Sequence, residues 1–124
     1  MPARRNLKRW LADIITQEGK TPGHIALVFC SDEYLLEINR KFLAHDFYTD
    51  IITFDHYDPE RISGDLFISS ERVRENAPGF GVPFLHELNR VMAHGILHLC
   101  GYGDKTPAQK KKMRSLEDMY LRQL

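Results

Sequence analysis

No apolar stretch of this 124-residue chain approaches the roughly 20 residues that a membrane-spanning helix needs. Nor does an apolar segment of roughly 7–15 residues follow the opening Met1-Pro2-Ala3-Arg4-Arg5, so a secretory signal is not expected. Cysteine is scarce. Cys30 and Cys100 make one pair at most, too few for a disulfide-dense scaffold. Both sit in apolar runs (ALVFC and ILHLC), where a free thiol behaves as a small buried hydrophobe, and a reducing, cytoplasmic compartment is expected. Repeats, low-complexity tracts and Pro/Gly linkers are missing, so residues 1–124 read as a single domain. Net charge is missing too: 17 Lys and Arg balance 17 Asp and Glu. On its face that argues against a strongly basic nucleic-acid binder.

The balance conceals a segregation. Residues 1–20 carry a net +3, residues 31–87 set five basic side chains against twelve acidic ones for −7, and residues 88–124 carry +4. Basic ends flank an acidic middle.

Periodicity outlines the elements. Leu7, Trp10, Leu11, Ile14 and Ile15 recur at helical spacing, predicting a helix over about 6–18 that ends near Gly19. After the turn Thr21-Pro22-Gly23, the apolar run His24–Cys30 reads as a buried strand. Ser31 caps a second helix with Tyr34, Leu35, Ile38 and Phe42 on one side. DIITF (50–54) and GDLFIS (64–69) read as an antiparallel strand pair joined by a polar loop. Ser69 or Ser70 caps a short helix that stops before Pro78-Gly79. Pro83 opens a long helix through about Cys100, with Gly101 just past its end. Thr106-Pro107-Ala108-Gln109 is a capping box for a last helix running to the C-terminus, with Met113, Leu116, Tyr120 and Leu124 as its stripe. Strands and helices mix without strict alternation, which predicts an α+β fold: a small sheet covered by helices.

The chemistry concentrates in residues 94–104, HGILHLCGYGD. His94 and His98, four apart on a helix, project from the same face, as two imidazoles must to share one metal ion. At about 100° per residue, His98 lies about 40° from His94, while Leu88, Met92, Ile96 and Leu99 fall at about 120–200°. The histidines therefore face away from the apolar stripe. Gly101 turns the chain, so Asp104 can return over the helix end as a third ligand. Two imidazoles and a carboxylate with a fourth position open suit catalytic Zn²⁺, though other divalent transition metals share this preference. The metal site thus lies on the long helix and the loop after it. H-x-x-x-H-x-x-G-x-x-D is also a metzincin metalloprotease spacing, but those enzymes carry Glu after the first His, and here Gly95 stands there.

HGILHLCGYGD resembles the HGxLHLxGYDH signature of the YbeY family, metal-dependent endoribonucleases of rRNA maturation. Asn39, HDFYTDIITF (45–54) and GDLFI (64–68) resemble further family segments, in the same order. Carried over by position, the resemblance puts the family's first two histidine ligands on His94 and His98 and its third on Asp104. The family's Arg, associated with RNA cleavage, falls on Leu43, and its Lys falls on His45. Arg40, one helical turn before Leu43, is the candidate to supply the lost charge. Arg40 and His45 are thus the candidate catalytic side chains, with Arg40 and Lys105 as candidate RNA contacts. Only a few residues precede the first helix, where the family carries a strand, so that edge strand is expected to be short or missing.

The expectation is a single-strand-specific endoribonuclease in rRNA maturation and ribosome quality control, with one Zn²⁺. Its partners would be rRNA and the small ribosomal subunit or assembly proteins. Water activated at the metal, or the RNA 2′-OH, would be the nucleophile. A small zinc metalloprotease and a non-catalytic ribosome-assembly factor are the alternatives. The trio is expected to open beside a basic surface formed by Lys105 and the first helix, with the acidic middle turned elsewhere. Glu87 reads as a surface or outer residue of the site, Asp46 and Asp50 as turn caps or site residues, and Tyr102 as packing over the site or, alternatively, as a base-stacking ring. His24, His56 and His86 have no spacing partner, and Cys100 reads as core. The run Lys110–Lys112 is a solvated face or a phosphate handle.

Overall fold

The computed structural model describes residues 4–124, with side chains from residue 6 onward. The segment ahead of the first helix, where a missing strand was expected, falls largely outside the described residues. Helix α1 (Arg4–Gln17) buries Trp10, Leu11, Ile14 and Ile15, the stripe its spacing predicts. Strand β1 (Pro22–Cys30) begins inside the expected turn. Helix α2 (Asp32–Leu43) is capped by the Ser31 hydroxyl, which accepts from the Tyr34 N–H at 3.1 Å. Strands β2 (Ile51–Asp55) and β3 (Ile62–Ser69) follow. Next come α3 (Ser70–Asn76), capped by Ser69, and a 3₁₀ turn (Ala77–Phe80). Helix α4 (Phe84–Leu99) and helix α5 (Pro107–Leu121), the latter entered through the Thr106–Gln109 capping box, complete the α+β fold.

The sheet order is β1-β3-β2. β2 and β3 are antiparallel, with Ile52 opposite Phe67, and β1 runs parallel to β3, with Leu27 opposite Leu66. Alternation along β3 divides the interior in two. Leu66 and Ile68 meet Met92 and Ile96 of α4, Ile14 and Ile15 of α1, and Met113 and Tyr120 of α5 in the main core. Phe67 turns to the opposite face, where α2 contributes Leu35 and Ile38 against Ile52. Trp10 Nε1 donates to the Tyr120 carbonyl at 2.9 Å and ties α1 to α5. Each fully buried aliphatic side chain contributes about 1.5–3 kcal/mol, so α4, sandwiched between sheet and helices, is a firm platform.

Three expectations need correction. β1 is half-buried, with Phe29 51% exposed, because it pairs on one side only, as an edge strand among the described residues. On α2 the buried face is Leu35, Leu36, Ile38 and Asn39, while Tyr34 and Phe42 are exposed. The apolar cluster it covers is too small to take every apolar side chain of that helix. Leu124 lies beyond the end of α5 and is exposed.

Candidate metal centre

His94 and His98 stand side by side on α4, ring centroids 4.5 Å apart and planes nearly perpendicular. Gly101 (φ 111°) lies in the left-handed half of backbone space and ends the helix, with its N–H donating to the His98 carbonyl and the Tyr102 N–H to that of Leu97. The chain then doubles back. Asp104 Oδ2 comes within 3.2 Å of His94 Nε2 and 3.6 Å of His98 Nε2. One ligand atom from each of the three side chains lies within 4.8 Å of the others.

The far sides of both rings are also engaged. His98 Nδ1 lies 2.8 Å from the Tyr102 carbonyl oxygen and His94 Nδ1 2.6 Å from Glu117 Oε2. A carbonyl and a carboxylate accept only, so each Nδ1 carries a proton, and both Nε2 atoms turn toward the Asp104 carboxylate. Two imidazoles and a carboxylate converging in this way are a donor set for a divalent transition metal. The residues present fit such an ion.

Behind His94 lies a buried charge network that the sequence did not reveal. Glu117 of α5 is 2% exposed on its side chain. It takes a 3.0 Å hydrogen bond from Arg90 Nη1, while Arg90 Nε and Nη2 grip Glu87 at 2.8 and 2.6 Å. Glu87 is thus a buried partner of Arg90, not a surface residue: it is 1% exposed. No buried side-chain nitrogen or oxygen among the described residues lacks a hydrogen bond, so these charges are compensated. The one sequence signal for Glu117 was an acid set between Met113 and Tyr120, on the stripe that packs α5 inward. Burial opposes the Arg90 charge, but Glu87 and Glu117 outweigh it and keep the guanidinium protonated.

Burial alone would raise the Glu117 carboxyl; the His94 hydrogen bond and Arg90 outweigh it and hold it below its ordinary 4.5. A carboxyl depressed in the folded state stabilises the fold above its unfolded value and loses that contribution as pH falls through the folded one. The stability difference between wild type and Glu117→Gln is therefore expected at full size down to about pH 4.5, shrinking below it. Urea midpoints across acid pH measure this, and a difference that grows below that point would contradict it.

Two hollows flank the trio. The first, about 290 Å³, is walled on one side by His94, His98 and Asp104 and on the other by Leu43, His45, Phe47, Thr49 and Asp50. The second, about 230 Å³, shares His94 and Asp104 and is completed by Arg90, Lys110, Met113, Arg114 and Glu117. This corrects the expected charge layout. The acidic middle does not turn away: its segment 39–53 forms the far wall of the first hollow, which no Lys or Arg lines. Basic side chains line the second hollow from α4 (Arg90) and α5 (Lys110 and Arg114), and no described side chain of α1 lines either hollow.

Arg40 lines neither hollow; it is exposed and paired with Asp46. Lys105 is exposed beside Asp104, its N–H donating to Gln109 Oε1 at 3.0 Å, and it too stays outside both hollows. His45 does line the first, as does Asp50, whose carboxyl burial raises against the opposing pull of Arg90 and His94. Tyr102 packs, its hydroxyl donating to Glu18 at 2.5 Å. Cys100 joins the core, and burial pushes its thiol up to about 11.

Gly95 explains why no base follows the first histidine. A Cβ there would sit 2.7 Å from Ile51 Cδ1 and 2.8 Å from Leu66 Cδ2, because α4 crosses the sheet at this point. The position faces the core, so a glutamate there would meet apolar side chains instead of the trio. Gly95→Ala is expected to cost up to about 2 kcal/mol, as overpacking exceeds the gain in helix propensity, and Gly95→Glu to prevent folding. Denaturation midpoints and soluble yield test this; a folded Gly95→Glu would show that the contact yields.

The family model described as Endoribonuclease YbeY matches residues 2–124. A relative from Bacteroides thetaiotaomicron named Endoribonuclease YbeY is 49% identical over 118 residues, covering 95% of this chain and 86% of the relative. One of the same name from Flavobacterium psychrophilum is 53% identical over 113 residues, covering 91% and 81%. A solution structure of a Thermotoga maritima protein is similar with a TM-score of 0.66 and 31% identity, covering 95% of this chain and 78% of that one.

Proposed function

This chain belongs to the YbeY family of endoribonucleases, enzymes of rRNA maturation, and from that premise we propose that His94, His98 and Asp104 hold one divalent metal ion at which RNA phosphodiester bonds are hydrolysed. Zinc is the ion we assign, from the two imidazoles and one carboxylate. The observation that carries the reading is the pair of Nε2 atoms turned toward Asp104, each ring held from behind by Glu117 or the Tyr102 carbonyl. A bound divalent ion supplies Lewis acidity to a phosphoryl oxygen and eases deprotonation of water.

The chain's own residues do the rest. Glu117 and the Tyr102 carbonyl fix which ring nitrogen carries the proton and so keep both Nε2 atoms available. Asp50 stands in the first hollow opposite the trio, its carboxyl raised by burial against the pull of Arg90 and His94, and is the proposed proton acceptor by its position there. His45 shares that wall. The family's cleavage-associated Arg position is Leu43, which lines the hollow, so positive charge for the RNA backbone must come from elsewhere. Lys110 and Arg114 on α5 border the second hollow and are the proposed phosphate contacts; Lys105, next to Asp104 in sequence, and Arg40, paired with Asp46, line neither hollow and are the weaker candidates. Lys110→Ala and Arg114→Ala are each expected to weaken RNA binding regardless of sequence and to reduce the salt slope by about 0.7 per lost phosphate contact. Binding titrations over a range of salt test this; unchanged slopes would remove α5 from the RNA path.

The proposed substrate is single-stranded rRNA, on or near the small ribosomal subunit, in the cytoplasm; no helix among the described residues is long and apolar enough to cross a membrane. The test is metal analysis of the purified protein together with cleavage of a ribosomal RNA fragment before and after chelation. Bound metal and chelator-sensitive, metal-restored cleavage are expected. Protein without metal above background, or cleavage indifferent to chelation, would overturn the reading. Casein hydrolysis without RNA cleavage would favour a protease, and small-subunit binding without cleavage an assembly factor.

A further inference from the structure

Across the first hollow from the trio stands Phe47, a large apolar ring left 55% exposed. It stacks on His45, centroids 5.0 Å apart and planes within 22° of parallel. An exposed ring gains the fold little, yet the loop that carries it is pinned. Asn39 is 1% exposed, and its Nδ2 donates to the Phe47 carbonyl at 2.8 Å. The Asn39 carbonyl accepts from the His45 N–H at 3.1 Å, and Ala44 makes the left-handed turn that releases the chain from α2. Asn39 thus holds both ends of the His45–Phe47 pair, His45 through its backbone carbonyl and Phe47 through its buried side-chain amide. Leu43 lines the same wall, so the ring face of Phe47 stands among both apolar and polar neighbours, Thr49 and Asp50 included.

We propose that Phe47, backed by His45, is a stacking platform for one unpaired nucleobase of the RNA strand whose phosphodiester lies at His94, His98 and Asp104. The proposal rests on the endoribonuclease reading and adds the residue that selects single strands. Two observations favour this occupant. The platform and the trio wall the same hollow, so a base on one places its backbone beside the other. The hollow, about 290 Å³, is at the lower end of small-ligand sites and takes a nucleotide, not a duplex, whose bases are already stacked on one another.

The test measures binding of a fluorescently labelled single-stranded RNA oligonucleotide in EDTA, where no metal-dependent cutting occurs, and separately KM and kcat of the metal-loaded protein. Stacking of one base on an aromatic ring predicts that Phe47→Ala weakens binding and raises KM by about 5- to 100-fold, with kcat at saturation changed less than about threefold. Phe47→Trp is expected to bind as wild type does, and Phe47→Leu, apolar but without a π face, to behave like Phe47→Ala. Oligonucleotides with an abasic residue at successive positions should show one position to which wild type is sensitive and Phe47→Ala is not. Wild-type binding by Phe47→Ala or Phe47→Leu, or wild type indifferent to every abasic position, would overturn the platform. The two readings fail separately. Phe47-dependent binding without any cleavage sinks the nuclease and leaves the platform; cleavage with unchanged KM in Phe47→Ala does the reverse.

Discussion

His98→Ala is expected to release the bound metal and lower RNA cleavage by about 10³-fold or more, the scale of losing a whole centre of charge stabilisation. The loss should be local. His98 is on the cleft side of α4, its side chain 27% exposed, and the core beneath it is made by Ile96, Leu97 and Leu99. Truncating this partly exposed side chain removes one hydrogen bond, to the Tyr102 carbonyl, a loss of about 0.5–1.5 kcal/mol, so the variant should stay folded with a modestly lower urea midpoint. Metal content by elemental analysis and cleavage of a ribosomal RNA fragment are the two readouts. Asp104→Ala is expected to follow His98→Ala. Asp104→His, the residue the family signature carries there, should keep the metal, since a third imidazole completes an equally good site. Full metal content in His98→Ala would mean the ion is held elsewhere. Unchanged cleavage would point to a contaminating nuclease or a different site.

Glu117→Ala should have the second largest effect, and it should strike both stability and site. It removes the acceptor of His94 Nδ1 and one of the three carboxylates (Glu117, Glu87 and, at 4.0 Å, Asp50) that compensate Arg90, whose side chain is only 12% exposed. Breaking a buried charge pair by deleting one partner typically costs about 3–5 kcal/mol, because the remaining charge is left uncompensated. Here Glu87 still grips Arg90 at two points, which favours the lower end of that range. Loss of a partner that orients a metal-binding histidine costs about 10–100-fold in metal affinity. Glu117→Gln separates the two effects. Its amide oxygen can still accept from His94, so affinity should recover more than stability. Denaturation midpoints and competitive metal titration on the same preparations measure both. A Glu117→Ala variant within about 1 kcal/mol of wild type would show that the network does not join α5 to α4.

Legibility in the sequence follows the range of the interaction concerned. The trio was readable because its geometry is local: helical spacing aligns His94 with His98, and a glycine in left-handed conformation brings Asp104 back within a few residues. Caps at Ser31, Ser69 and Thr106 were readable for the same reason. The α2 face was misplaced at Tyr34 and Phe42 because burial depends on how much apolar surface the sheet offers, which periodicity does not state. Glu87 read as a surface or outer residue of the site and Glu117 had no role assigned; both are buried, with Arg90 bridging them between two helices.

The balanced charge tells the same story. By itself the sequence determined the α+β class, the helix that carries His94 and His98, the return of Asp104 to them and the resemblance to an endoribonuclease family, all from patterns that close within a turn or two of chain. Only the tertiary structure decided what surrounds the trio. The expected basic flank from Lys105 and α1 is replaced by Lys110 and Arg114 of α5, and the acidic middle folds over α4 to wall the cleft with Phe47, His45 and Asp50. Charge summed along a chain cannot foretell charge summed across a cleft. The cleft joins segments some fifty residues apart, brought together by burying Ile51, Leu66 and Ile96 in a shared core and not by any attraction between the charges themselves.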